Sequence, residues 1–239
     1  MEDLVIKHTK KAHKIWSSKE HPFWVKLKEF LIEILIIVFA VTLSIWFHSW
    51  SEHNEEQKQV KIFLLGLKKD INADIQDSKA IIDHYRRSDT VYAYLSGLSR
   101  DKKANPDSLK LMIPQMFNTS FLRPHLSRFN GFLSAGKIMT IEEDSLALQI
   151  LNYYQETIPA LQTSEAAWTA MQNNLTLYLV DNIKDNTEKS YWEVLTTPKA
   201  KFLTEKLISW DQLIQRYNNV IKEGETIIMA IDKLYPGKE

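Results

Sequence analysis

One run of residues constrains this chain more than any other. From Phe30 to Trp50 it reads FLIEILIIVFAVTLSIWFHSW. A helix of that length rises about 30 Å at 1.5 Å per residue, the thickness of a bilayer's hydrocarbon core. Neither Pro nor Gly interrupts it, and Ile34 to Ala40 offers no polar face with which to lie on a soluble core. Trp46 and Trp50 stand at its C-terminal end, and Phe23 and Trp24 just before its start. Rings at both ends match the interfacial belts of a spanning helix. The run is therefore predicted to be a transmembrane helix, with the lipid bilayer as its first partner. Residues 1–29 are too many for the n-region of a cleaved signal peptide, and no small-x-small site follows, so an uncleaved signal anchor is expected.

Lysines set the predicted orientation. Lys7, Lys10, Lys11, Lys14, Lys19, Lys26 and Lys28 precede the run, whereas Glu52, Glu55 and Glu56 follow it ahead of Lys58. This favours a single-pass protein of the inner (cytoplasmic) membrane, its N-terminus in the cytoplasm and its large domain in the periplasm. The expected organisation is a basic tail at 1–29, a span at 30–50 and a helical extracytoplasmic domain at 51–239. Glu33 is the one acidic residue inside the span. A carboxylate there is costly unless it snorkels, pairs or is protonated. It is expected to reach the headgroups beside Lys26 and Lys28; a contact to a partner helix or an ion path is the alternative.

The remaining chain reads as all-α, an antiparallel bundle with long helices. Val60, Leu64, Leu67, Ile71, Ile75, Ile82 and Tyr85 form one helical stripe with no breaker between them and Trp50. This predicts a helix continuing from the span to near Leu98. The polar stretch Ser99 to Pro106 is a loop, and residues 107–136 are irregular with one or two short helices, Gly136 serving as a C-cap. Thr140 with Glu143 suggests a capping box for a second long helix. Its stripe runs Leu151, Tyr154, Ile158, Leu161, Trp168, Met171, Leu175 and Tyr178, and Pro159 is expected to kink it. A third helix is predicted from Thr197, with Pro198 in its first turn. Leu203, Leu207, Trp210, Ile214, Tyr217, Ile221, Ile228 and Ile231 make a heptad seam in it, with Gly224 in the gap and a second row at Leu213, Val220, Ile227 and Leu234. Such a coiled-coil-like seam either packs within the bundle or joins copies of the chain in a homo-oligomer.

Recognisable catalytic chemistry is missing from the pattern. Without cysteine there are no thiolate nucleophiles, thiolate metal sites or disulfides. No His-x-x-x-His pair, Gly-rich phosphate loop, GxSxG or HExxH occurs. No catalytic, cofactor-binding or metal residues are therefore assigned. Thirty basic residues balance thirty acidic ones, so no nucleic-acid footprint is expected.

The segment KLKEFLIEILIIVFAVTLSIWFHSWSEHNEEQKQVKIFLLGLKKDINADI resembles the start of a family of uncharacterised single-pass membrane proteins of Gram-negative bacteria. Glu33, Trp50, Glu52, Leu64, Leu67 and Asp70 carry that likeness. Gly136, Ile141, Leu148, Ile150, Tyr153 and Tyr154 carry a second one, a turn followed by a helix with paired tyrosines. The resemblance implies an N-terminal anchor and a helical extracytoplasmic domain, and no reaction. The functional expectation is a non-enzymatic, membrane-anchored interaction or scaffold protein whose partners are other membrane or periplasmic proteins. The alternative is a sensor-like bundle binding a ligand, with Tyr153, Tyr154, Trp168 and Tyr178 around a pocket, signalling through a partner protein.

Overall fold

A computed structural model describes residues 23–102, 104–208 and 210–237. The tail lysines up to Lys19, with His8, His13 and His21, lie outside the described residues. Among these residues the chain is helical and contains no strand. It divides into two compact units, Met1–Gln59 and Val60–Glu239.

Helix α1 runs from Phe23 to Ser96, starting ahead of the predicted span and ending close to where the stripe predicts. In the first unit its apolar side chains stand open, Phe30, Leu35, Phe39 and Ile45 among them. From Val60 onward the predicted stripe turns inward, and every one of its seven residues is buried.

Short helices follow. In α2 (Pro106–Gln115), Asn105 caps the start by accepting from the Asp107 amide at 2.9 Å. Helix α3 (Ser127–Ser134) ends at Gly136, whose φ of 69° lies in the left-handed region. That conformation strains any residue with a Cβ, which is why glycine closes this helix.

The second long helix differs from its expected form at two places. Its start is Asp144, not Thr140. Residues Lys137–Thr140 form a 3₁₀ turn, the Thr140 hydroxyl donates to the Lys137 carbonyl at 2.8 Å, and Glu143 takes the N-cap position expected for Thr140. Burial of both Ile138 and Ile141 holds this turn down against the core. Further on, α4 (Asp144–Asn152) passes through a π turn at Tyr153–Thr157 into α5 (Ile158–Asn182). Pro159 is the second residue of α5, and the helix passes through the widened turn immediately before it, with the Ile158 amide donating to the Tyr153 carbonyl.

Helix α6 (Glu188–Leu195) was not foreseen; Thr187 caps it, accepting from the Ser190 amide at 3.3 Å. The predicted third long helix is two helices. Thr197 caps α7 (Pro198–Glu205) as expected, but α8 runs only from Asp211 to Leu234. The break between them is tied by Trp210, whose indole N–H donates to the Lys206 carbonyl at 2.7 Å. Helix α5 packs against α6, α7 and α8, and α2 packs against α6. A Cβ on Gly224 of α8 would meet Ile71 Cγ2 at 2.9 Å, so glycine permits α8 to lie this close to α1.

Candidate functional site

Buried polar groups in the second unit converge on one irregular stretch, Met116 to His125. Five side chains on α1 and α5 hold it. Gln172 of α5 donates from Nε2 to the carbonyls of Met116 at 2.8 Å and Asn118 at 3.2 Å. The Tyr92 hydroxyl also donates to the Met116 carbonyl, at 2.7 Å, and that of Tyr85 to the Ser120 carbonyl at 2.8 Å. Glu165 accepts from the Leu122 amide at 2.7 Å and from the Tyr217 hydroxyl of α8. Burial pushes Tyr217 far up and Tyr92 up to about 12, so both remain donors at neutral pH. Burial likewise raises Glu165, against the pull of its two donors.

The fifth side chain is Asp74, which is 0% exposed. Its Oδ1 lies 2.6 Å from His125 Nδ1 and 3.1 Å from the His125 amide. One turn earlier on α1, Asp70 accepts from Arg128 Nε at 2.9 Å. The irregular stretch thus brings its backbone donors and acceptors to acids, an amide and hydroxyls that replace the helical bonds it lacks.

The acid–histidine pair is the arrangement closest to proton-transfer chemistry. Burial raises Asp74, and its bond to His125 raises the imidazole above its ordinary value of 6.5. No hydrogen bond among the described residues reaches His125 Nε2, and no metal-holding group of His, Asp and Glu occurs among them. The pair therefore reads as a clamp. Its pH dependence has a definite sign. A histidine with a raised folded-state pKa stabilises fully below the unfolded value of about 6.5 and loses that contribution as pH climbs through the folded one. Urea midpoints should fall between pH 6.5 and 9 in the wild-type chain and fall less in His125→Gln. Parallel pH profiles for the two would exclude the clamp.

The predicted site residues are distributed as follows. Phe23, Trp24, Trp46 and Trp50 are all exposed on α1. Glu33 is only 8% exposed. Of the seam, Leu207, Tyr217 and Ile231 are buried, whereas Leu203, Trp210, Ile214, Ile221 and Ile228 are half-buried. The fully covered line on α8 is Leu213, Tyr217, Val220, Gly224, Ile227 and Ile231. Tyr153, Tyr154 and Trp168 are core side chains, and Tyr178 bonds Thr197.

One open groove stands elsewhere, between the loop before α2 and the start of α6. Arg100, Pro106, Leu109, Thr187, Lys189 and Trp192 line it, and its volume is about 630 Å³. Compared with protein-family models, curated proteins and solved structures, the chain matches none.

Proposed function

We propose that this protein is a membrane-anchored interaction protein, held by α1 and working through its helical second unit. One observation carries the anchor. Among the described residues only α1 has a stretch long and apolar enough to cross a membrane, and 6% of that stretch is buried within the chain. Apolar surface on this scale, left open by the protein itself, calls for lipid. Trp24 at one end and Trp46 and Trp50 at the other would lie at the two headgroup layers. With the lysine asymmetry, this supports a cytoplasmic N-terminus and a periplasmic domain, in keeping with the family resemblance. The ion pairs Lys79–Glu225 and Lys68–Asp232 run in opposite chain directions and support an antiparallel bundle. Partners would be membrane or periplasmic proteins, or a second copy.

Two measurements test this. After an alkaline carbonate wash the full chain should stay in the membrane pellet, and a chain lacking residues 1–50 should be released; release of both would remove the anchor. The absence of cysteine allows Asn186→Cys at an exposed position before α6. A thiol reagent that enters only the periplasm should label it in intact cells. Labelling confined to lysed cells would reverse the orientation.

A second reading has its own observation. The groove beside α6 falls within the roughly 300–1,000 Å³ range of small-ligand sites and favours a ligand-binding role.

A further inference from the structure

We propose that the groove between the loop before α2 and helix α6 binds a small monocarboxylate with an apolar, ring-sized body. The inference rests on the ligand-binding reading and is independent of the anchor.

The charges on the wall select the sign. Among the described lining residues Arg100 and Lys189 are cations and Glu188 is the acid, while Glu193 stands beside Lys189 outside the lining. The lining itself thus carries one more cation than acid, which suits a monoanion. Arg100 makes no ion pair among the described residues and presents a planar fork that matches a carboxylate's two oxygens. Lys189 is 3.9 Å from Glu193 and its own side chain is largely solvated, so this long contact lets the ammonium swing to a ligand. Thr187 is already committed. Its hydroxyl donates to Asp185 at 2.5 Å and accepts from the Ser190 amide.

The apolar part of the lining selects the body. Leu109 is buried beneath the groove, with Pro106 and Ala104 beside it. Trp192 adds the one aromatic side chain. Its ring is half-buried, and its Nε1–H is covered and has no acceptor in the described structure. A covered N–H without an acceptor is uncommon in a folded protein. A small rotation of the indole would bring that N–H to a carboxylate oxygen while the ring packs on the ligand body. The groove's size matches one small molecule and not an extended chain.

The test uses the full chain in detergent micelles with its seven tryptophans labelled by nitrogen-15. Trp192→Phe identifies one indole N–H signal by its loss. The probes are 3-phenylpropionate and its uncharged isostere 3-phenylpropionamide. Phenylpropionate should move the Trp192 signal saturably, and the amide should bind at least about tenfold more weakly, the cost of losing charge-assisted bonds. Arg100→Gln should weaken the carboxylate about tenfold and leave the amide unchanged, which a folding defect would not do. Equal affinity for the two probes overturns the proposal, as does an Arg100→Gln chain that binds the carboxylate normally. Shifts confined to Trp24, Trp46 and Trp50 would report only probe dissolved in the micelle, and with Trp192 unmoved they overturn it too. None of these results alters the carbonate wash, so the anchor stands or falls separately.

Discussion

Trp168→Ala should lower the stability of the helical unit by about 3–5 kcal/mol, the range for truncating a buried aromatic to alanine. Trp168 is 1% exposed on α5. Its ring meets Tyr85 edge-on at 5.0 Å and Tyr92 at 6.2 Å, joining α5 to α1. Those two tyrosines also hold the irregular stretch through Met116 and Ser120. The loss is therefore part cavity and part loosened donors. Urea unfolding followed by circular dichroism measures it. A change below about 1 kcal/mol, the size seen at surface positions, would mean that the three rings do not form the joint described.

Glu165→Ala should cost about 3 kcal/mol or more, because it orphans two buried donors at about 1–3 kcal/mol each. Those donors are the Leu122 amide and the Tyr217 hydroxyl. Glu165→Gln is the informative companion. Its side-chain carbonyl still accepts, and an amide carries no charge into the core. Since burial already raises Glu165, the Gln chain should fall within about 1 kcal/mol of wild type. The pH effect follows. A carboxyl with a raised folded-state pKa loses stability as pH rises through that value, and Gln removes this part of the slope. Equal losses for Ala and Gln would show that the site needs the carboxyl group itself, and would overturn the reading of Glu165 as an acceptor that an amide can replace.

The helical class was readable because the stripes are long and strict. Val60 through Tyr85 recur at three, four and seven, and this is the face that the structure buries. Caps were readable where the chemistry is local, as at Thr197 with Pro198 and at Gly136. Thr140 misled because a capping box needs an open helix start, and buried Ile138 and Ile141 hold a 3₁₀ turn there. The break at Lys206 to Trp210 was invisible because the apolar spacing continues across it.

The polar network was missed for an instructive reason. Each stripe skips a beat, from Ile75 to Ile82 and from Leu161 to Trp168. The skipped positions on the same face are Ser78 and Glu165, and both are buried. At these two gaps a polar residue is carried into the core, whereas the gap from Ile221 to Ile228 holds the buried Gly224. Which backbone atoms such a polar residue meets there depends on contacts over more than forty positions, beyond any local pattern. The groove was equally hidden, since its walls come from residues near 100 and near 190.

The π turn at Tyr153–Thr157 has a consequence for alignment. A turn of this kind holds one more residue than the α turn it replaces. One residue added to a regular α-helix would rotate everything beyond it by about 100° about the helix axis, and the widened turn absorbs that residue so that the helix beyond keeps its facing. Here it lets two adjacent positions, Tyr153 and Tyr154, both point inward. A helix of the same face pattern but without this turn would align with this one only across a one-residue gap between Asn152 and Ile158.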